Sequence, residues 1–154
     1  MRVAIGQDSH RFDFENKDKT LLLGGVIFEG YKGLLGNSDA DVVLHAITNA
    51  VSGITCKNIL GEVADELCKQ RIIDSEVYLK KALEYLKYKI QHLSISIECK
   101  SPKITPKIEE MRKNIARILN VEPQSIGITA TTGEELTEVG KGQGISVICI
   151  ITTE

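Results

Sequence analysis

The sequence predicts an α/β fold, a single-domain two-layer sandwich in which a mixed β-sheet carries helices packed on one face. Two observations support this prediction: strand-like runs stand near both ends of the chain, and stretches with helical periodicity lie between them. With 154 residues and 42% hydrophobic side chains, the chain is long enough to bury a core of its own. We therefore expect one domain over residues 1–154.

Two strands are expected in the N-terminal region. Val3 and Ile5 alternate with smaller or polar neighbours, which is typical of a half-buried strand. The apolar run from Leu21 to Phe28 predicts a second strand, which Gly24 and Gly25 would bend or bulge. The residues between these two runs are mostly polar and predict a loop.

A long helix is expected next. Its apolar positions form one helical stripe, with Ser38 or Asp39 as the N-cap and Gly53 near the end. The segment from Thr55 to Ile73 has no clean period, so it predicts a mobile loop that contains no more than a helical turn. The apolar stripe consists of Val42, Val43, Ala46, Ile47, Ala50, Val51 and Ile54.

The second half of the chain mixes helices and strands. Strong helix formers from Asp74 to Gln91 predict a helix, and the alternation over residues 92–100 predicts a half-buried strand. A turn then leads into a helix that has Thr105 as its N-cap and ends near Leu119. Two further strands are expected over residues 125–132 and 144–153.

Composition and charge argue against several classes of function. The 19 basic and 21 acidic side chains give a net charge of −2, which provides no general attraction for nucleic acid or for an anionic membrane. The apolar runs are too short to span a bilayer, and the N-terminus lacks the pattern of a signal peptide. The cysteines form no C-x-x-C pair and are expected to be thiols of a reducing compartment, which predicts a cytoplasmic protein. They are Cys56, Cys68, Cys99 and Cys149.

A candidate metal site begins near the N-terminus. Residues two apart on a strand point to the same side, so Asp8 and His10 would present a carboxylate and an imidazole together. A divalent cation needs further ligands, and the long helix carries His45, with Asp41 one turn earlier to orient its imidazole. The alternative is that Asp8 ends a strand, His10 lies on the surface and Asp41 favours a helix N-terminus. Spacing alone favours this alternative, and His92 is expected on the surface.

Five blocks of sequence strengthen the metal hypothesis when they are taken together. They are GQDSHRF, LLLGG, KGLLGNSDADVVLHAITNAVSGI, SPKITPKIEEMR and TATTGEELTEVGKGQGI, and they cover nearly the whole chain. In this order and spacing they resemble the 2-C-methyl-D-erythritol 2,4-cyclodiphosphate synthase family. The resemblance implies a homotrimer with active sites between subunits, acting in the non-mevalonate route to isoprenoid precursors.

The resemblance further implies a phosphorus–oxygen lyase. Its substrate would be 4-diphosphocytidyl-2-C-methyl-D-erythritol 2-phosphate, whose own 2-phosphate attacks the β-phosphorus of the cytidine diphosphate group and expels CMP. The product would be 2-C-methyl-D-erythritol 2,4-cyclodiphosphate. Such a reaction requires positioning and charge neutralisation more than acid–base catalysis, because the nucleophile is already an anion.

The same resemblance assigns roles to individual residues. Asp8, His10 and His45 match the ligands of zinc or another divalent transition metal, and Glu134 matches a ligand of magnesium or manganese. Asn37 and Thr132 match positions that assist the transition state, and the stretch from Cys99 to Thr105 matches a cytosine pocket. Substrate contacts are implied for Asp8, Ser9, His10, Asn37, Ser38, Ile59, Leu60, Gly61, Asp65, Cys99, Lys100, Ser101, Pro102, Lys103, Ile104, Thr105, Ala130, Thr131, Thr132, Gly133, Glu134 and Lys141.

The chain departs from the family at several of these positions. Asn37 stands in place of a histidine, and its amide can donate a hydrogen bond to a phosphate but cannot carry a positive charge. Lys141 replaces an arginine and would supply a point charge in place of a bidentate fork, and Gly133 replaces a threonine. The segment from Asn58 to Glu66 lacks the family's usual acidic and aromatic residues, so Asp65 is the residue available to supply a carboxylate.

Two alternative functions stay open at this point. One is a divergent metal-dependent phosphotransfer or phosphohydrolase enzyme on the same trimer, because the altered loop would change the substrate. The other is a trimer that binds nucleotides or isoprenoids without catalysis. Retention of Asp8, His10, His45 and Glu134 together argues against this second alternative. For Thr131 and Thr132, plain β-propensity is an alternative that composition alone does not exclude, and residues 99–105 form a strand-to-helix turn in any case.

Overall fold

A four-stranded mixed sheet forms the centre of the computed structural model, which describes residues 1–154. Strands β1 (Arg2–Arg11), β6 (Gly144–Thr153), β4 (Ile90–Glu98) and β5 (Ile126–Thr131) lie side by side in that order. Strand β4 runs parallel to β5, while β6 is antiparallel to both β1 and β4. The mixed sheet and its three longest predicted strands are therefore confirmed.

The predicted bent strand over residues 21–28 is wrong, because this run forms a separate two-stranded hairpin. Strand β2 (Thr20–Leu23) pairs with β3 (Val26–Lys32), and Leu23 lies opposite Val26. Gly24 and Gly25 form the two-residue turn with φ angles of 63° and 75°, which favour glycine. Two consecutive residues in the left-handed region reverse the chain instead of bending it.

Helix α1 (Val42–Thr55) packs directly on β1, and every residue of its predicted apolar stripe is buried. A β-carbon on Gly6 would overlap the carbonyl of Ala46, so glycine lets the helix approach the strand closely. The predicted N-cap at Ser38 or Asp39 is wrong, because Asp41 caps the helix. The other end is confirmed, since Gly53 lies two residues before the last helical residue, Thr55, and a left-handed Cys56 follows.

Two corrections concern the helices that follow. The predicted loop over 55–73 contains helix α2 (Glu62–Lys69), whose apolar stripe of Val63, Ala64, Leu67 and Cys68 packs against the core but spans only two turns. Helix α3 (Ser75–Leu83) begins as predicted after its N-cap Asp74, but it ends eight residues before Gln91. The chain then turns so that Ile90 can pair with Thr153 at the start of β4, and sheet pairing prevails over helix propensity there.

Helix α4 (Ile108–Leu119) ends where the sequence predicts. Its beginning differs, because residues 105–107 form a 3₁₀ turn and the Thr105 side chain makes no capping hydrogen bond. Strand β4 also ends at Glu98, two residues before the predicted Lys100. These residues lie in the turn that connects β4 to α4.

The helices cover one face of the four-stranded sheet. Helix α1 packs on β1 and β6, helix α4 packs on β5, and 37 buried hydrophobic side chains form one core between the layers. None of the helices combines the length and apolar character needed to cross a membrane. The other face of the sheet, called the outer sheet face below, exposes Val3, Ile5, Ile148 and Ile150.

Candidate active site

Asp8 and His10 lie side by side on β1, on the face of the sheet that the helices cover. His10 Nε2 is 2.8 Å from Asp8 Oδ2, and His45 Nδ1, which projects from α1, is 3.1 Å from the same oxygen. Potential ligand atoms of the three residues all lie within 4.8 Å of one another. The structure therefore brings together the three side chains for which a metal was predicted.

The hydrogen bonds of His10 fit a metal ligand. Its Nδ1 donates to the carbonyl oxygen of Leu35 at 2.6 Å, so Nε2 is the nitrogen left to face Asp8. Nε2 is buried and lacks a well-directed hydrogen bond although Asp8 Oδ2 is close. A carboxylate with two imidazoles around one open position is the donor set of a catalytic zinc site, and a cation would satisfy the buried nitrogen.

The charges of this cluster favour an ionised carboxylate. Burial acts to raise the pKa of Asp8, but the close imidazoles of His10 and His45, with the positive charge they can carry, lower it to about 2. In turn, the Asp8 carboxylate raises the pKa of His10 above its usual value, against the opposing effect of burial. A carboxylate that stays ionised is ready to bind a cation without first losing a proton.

The prediction that Asp41 orients the His45 imidazole is wrong. The Asp41 carboxylate accepts hydrogen bonds from the backbone nitrogens of Gly24 at 2.9 Å, Gly25 at 2.6 Å and Leu44 at 3.0 Å. As the N-cap of α1, Asp41 turns toward backbone donors and ties the hairpin to the helix. Its complete burial raises its pKa to about 6, although the three backbone hydrogen bonds oppose that rise.

A cleft of about 290 Å³ opens beside the three clustered side chains and is called the metal cleft below. Five predicted substrate residues line it together with the ligands, namely Asn37, Ser38, Leu60, Gly61 and Asp65. Ile59 does not, because it is buried in the core. Sequence reasoning missed Asn49, Cys68 and Tyr78, which also line the cleft and carry no motif of their own.

A second cleft of about 140 Å³ lies between the turn after β4 and the end of β5, and it is called the nucleotide pocket below. All of its lining residues belong to the predicted substrate set. Cys99 Sγ contacts the carbonyl oxygen of Pro102 at 3.4 Å and so braces the turn. The lining residues are Cys99, Lys100, Pro102, Lys103, Ile104, Thr105, Ala130, Thr131 and Thr132, whereas Ser101 faces a neighbouring cleft.

The loop after Thr132 has an unusual backbone. Gly133, Glu134 and Glu135 have consecutive positive φ angles of 78°, 50° and 58°. The φ of Gly133 is one that residues with a side chain rarely adopt, so a substitution there would strain the loop. The predicted magnesium ligand Glu134 is exposed on this loop, away from the core.

The remaining predicted residues lie on nearby surfaces. Lys141 is exposed, with its Nζ 3.1 Å from Glu138, and Ser9 lines a separate cleft with His10 and Glu138. The metal cleft and the nucleotide pocket share no lining residue. One chain therefore presents the predicted site as two separate parts.

Comparison with known proteins agrees with this geometry. The YgbB family matches residues 1–154. The 2-C-methyl-D-erythritol 2,4-cyclodiphosphate synthase of Chlamydia muridarum (strain MoPn / Nigg) is 53% identical over 98% of this chain and 86% of its own length. The enzyme of that name from Chlamydia trachomatis serovar L2b is 51% identical over the same shares. Among solved structures, an IspF from Plasmodium falciparum in a CDP complex superposes with a TM-score of 0.82 at 26% identity, over 97% of this chain and 93% of that one.

Proposed function

Because the chain belongs to the YgbB family, whose matched relatives are 2-C-methyl-D-erythritol 2,4-cyclodiphosphate synthases, we propose that it catalyses this cyclisation. The 2-phosphate of 4-diphosphocytidyl-2-C-methyl-D-erythritol 2-phosphate attacks the β-phosphorus of the same molecule. The bond between this phosphorus and the oxygen that bridges to the α-phosphorus breaks, and CMP leaves. The product belongs to the non-mevalonate route to isoprenoid precursors, and the enzyme is a lyase of phosphorus–oxygen bonds.

The clustering of Asp8, His10 and His45 is the observation that carries the proposal. We assign zinc to these three side chains, because two imidazoles and one carboxylate suit a borderline cation with an open coordination position. Bound there, zinc supplies Lewis acidity toward a phosphate oxygen. Glu134 offers the hard oxygen ligand that suits magnesium or manganese.

The other residues of the metal cleft position the substrate. Asn37 and Ser38 lie at its mouth, where the Asn37 amide can donate a hydrogen bond to a phosphate oxygen. Leu60, Gly61 and Asp65 line the side of the cleft formed by α2 and the turn before it, where the methylerythritol unit would lie. This turn and helix α2 therefore form one wall of the proposed substrate site.

The nucleotide pocket holds the cytidine and its phosphates in this proposal. Backbone groups of residues 99–105 read the base edge, and a turn that contains proline keeps them in place. Lys103 lies in the pocket and Lys141 lies on the following loop, so both offer positive charge to the diphosphate. The Thr131 and Thr132 hydroxyls accept hydrogen bonds from the backbone nitrogens of Gly133 and Glu134, which orients them at the pocket rim.

A homotrimer would join the two parts of the site. The outer sheet face exposes Ile5 by 65% and Ile150 by 44%, and these two residues lie opposite each other on β1 and β6. An apolar patch on paired strands favours coverage by other subunits. In such an assembly, the metal cleft of one subunit would meet the nucleotide pocket of its neighbour. The free cysteines fit the cytoplasmic location that the sequence predicts.

One experiment separates the candidate reactions. Purified protein with zinc and magnesium is incubated with 4-diphosphocytidyl-2-C-methyl-D-erythritol 2-phosphate, and phosphorus NMR follows the products. We expect the cyclic diphosphate together with CMP. Linear phosphate products would support a phosphohydrolase instead, and unchanged substrate with metal bound would support a binding protein. Identity above one half with named synthases over nearly the full chain disfavours both alternatives.

A further inference from the structure

A chain of hydrogen bonds runs behind His45, on the side of its imidazole that faces away from Asp8. His45 Nε2 lies 2.9 Å from Ser75 Oγ, and the same hydroxyl makes a short hydrogen bond to Asp39 Oδ1. Ser75 is fully buried at the start of α3, and His45 is only 7% exposed. No sequence motif connects these residues, since Asp39 and Ser75 are 36 positions apart.

The neighbours of Asp39 determine the direction of these hydrogen bonds, that is, which atom donates and which accepts at each step. Oδ2 of Asp39 accepts from the backbone nitrogen of Ser75 at 3.0 Å, and Oδ1 accepts from that of Asp41 at 3.1 Å. A carboxylate that faces these donors acts as an acceptor, so the Ser75 hydroxyl donates its single proton to Oδ1. The lone pairs of that hydroxyl are then available to His45, and Nε2 must be the donor.

This direction has a consequence for the other imidazole nitrogen. A neutral imidazole carries one proton, so a proton on Nε2 leaves a lone pair on Nδ1. Nδ1 is the nitrogen that lies 3.1 Å from Asp8 Oδ2, inside the cluster of metal ligands. His10 presents its Nε2 to the same oxygen while its Nδ1 donates to Leu35. The two histidines therefore present different ring nitrogens to the metal position, and each needs a hydrogen-bond partner for the proton on its other nitrogen.

We propose that Asp39 and Ser75 are positioning residues that hold His45 in the Nε2-protonated form, with Nδ1 aimed at the metal position. This inference rests on the proposed metal site. It adds that metal affinity depends on a serine and an aspartate that do not touch the ion. Outer partners of this kind usually contribute 10- to 100-fold to metal affinity, about 1.4–2.8 kcal/mol.

A purely structural role, in which the Ser75 hydroxyl only connects the segments around Asp39 and Ser75, accounts less well for its position beside His45. The backbone already connects the two segments, because Asp39 N donates to Ile73 O at 2.9 Å. Ser38 Oγ is the other hydroxyl near His45 Nε2, but it is 3.5 Å away and accepts a hydrogen bond from Ala40 N at 3.0 Å. Ser75 is thus the better-placed acceptor for the Nε2 proton.

Zinc affinity of purified full-length variants tests the proposal. Competition with a chromophoric chelator should show zinc binding by Ser75→Ala that is about 10- to 100-fold weaker than in the wild type. Asp39→Asn should also weaken binding, because the new NH₂ group would face one of the N–H or O–H donors from which the carboxylate now accepts. Ser52→Ala is the matched control, since it removes a buried hydroxyl of α1 that has no hydrogen bond, and its affinity should stay within about twofold.

A double-mutant cycle distinguishes an effect of Asp39 that acts through Ser75 from independent effects of the two residues on zinc affinity. If Asp39 acts through Ser75, the double variant Asp39→Asn/Ser75→Ala should bind zinc about as weakly as Ser75→Ala alone. Additive losses would overturn the proposal, and so would wild-type affinity in Ser75→Ala.

Histidine nitrogen NMR gives a direct readout that needs no variant, and the chain has only three histidines. In zinc-loaded wild-type protein we expect the proton of His45 on Nε2 and that of His10 on Nδ1. A proton on Nδ1 of His45 would overturn the proposal even if a variant failed to fold. Wild-type protein that binds no zinc would overturn the metal site as well, whereas normal zinc binding by both variants would overturn only the positioning role.

Discussion

The metal cleft and the nucleotide pocket are built in contrasting ways. The ligands of the metal cleft project from β1 and α1, and close packing at Gly6 fixes the distance between these elements. The nucleotide pocket lies between a turn and the end of β5, and an exposed loop with left-handed residues follows it. Buried hydrogen bonds hold the first region, while ion pairs such as Lys100 to Glu135 lie on the surface of the second.

This difference indicates how the two regions work. Metal ligands must be held within a few tenths of an ångström, and regular elements with buried partners provide that precision. A nucleotide must enter and leave, so its pocket benefits from exposed edges and adaptable loops. One chain therefore brings all three proposed metal ligands together, whereas the proposed function requires a neighbouring subunit to bring the nucleotide pocket to the metal.

The largest expected effect comes from removing a ligand of the metal cleft. His45→Ala should abolish zinc binding and lower kcat/KM by more than about 10³-fold, because the lost charge stabilisation amounts to several kcal/mol. Metal analysis and the phosphorus NMR assay measure both effects, and circular dichroism checks the fold. His92→Ala is the control, since His92 is exposed on β4 and should change neither. Full zinc content in His45→Ala would remove this residue from the site.

Mixed trimers test whether the two regions act across subunits. His45→Ala damages only the metal cleft and Thr132→Ala only the nucleotide pocket, so each variant alone should be nearly inactive. If the site forms between neighbours, every mixed trimer contains one intact pair, and an equal mixture should regain about a quarter of wild-type activity. The measurement is activity after co-expression, compared with each variant expressed alone. No recovery would indicate that both parts serve a site within one subunit.

Sequence patterns predicted the parts of the fold that follow a simple period. Apolar residues alternate in β1 and β4, form a continuous run in β6 and form a complete stripe in α1. These patterns suffice to predict the four elements. Helix α2 is only eight residues long, and Gly61 together with the charged residues of this segment makes its short apolar stripe hard to recognise. The hairpin differs from the predicted bent strand because two glycines within an apolar run indicate a bend, whereas two consecutive left-handed glycines reverse the chain.

The candidate site was predictable in the same uneven way. Strand geometry predicts Asp8 beside His10, and the long helix offers His45 as a further ligand, but only the family resemblance favours a metal site over the alternative without one. The role proposed for Asp41 failed because an N-cap side chain turns to the helix backbone. Asp39 and Ser75 could not be connected from sequence, since their contact depends on how α3 packs beside α1.

Asn37 offers a smaller test within the metal cleft. It lies on an exposed bend that lines the metal cleft, and its neutral amide offers a hydrogen bond to phosphate without a positive charge. Asn37→Ala should lower kcat by about 10- to 100-fold and leave zinc affinity unchanged. Steady-state kinetics and the chelator assay measure the two quantities separately. An unchanged kcat would show that the amide makes no contribution to the transition state.

The smallest expected effect is on stability and concerns two ion pairs, one near each of the two regions. Glu76, which follows Ser75 in α3, binds Arg117 of α4 through two hydrogen bonds of 3.0 and 2.7 Å and also contacts Lys80. Hydrogen bonds from Arg117 and then Lys80 lower the pKa of Glu76 from 4.5 to about 2. A lowered pKa means that the pair stabilises the fold above pH 4.5 and that this contribution disappears as the pH falls toward 2.

Glu76→Gln should therefore lower the free energy of unfolding by about 0.5–1 kcal/mol near neutral pH, as urea denaturation would measure. The difference from the wild type should shrink below pH 4.5. Glu135→Gln is the matched change beside the nucleotide pocket, where both Glu135 and its partner Lys100 are at least half exposed. Water and salt screen that pair, so we expect no measurable loss. Equal losses in the two variants would show that ion pairs support both regions alike, and that partial burial of the Glu76 pair adds nothing to its contribution.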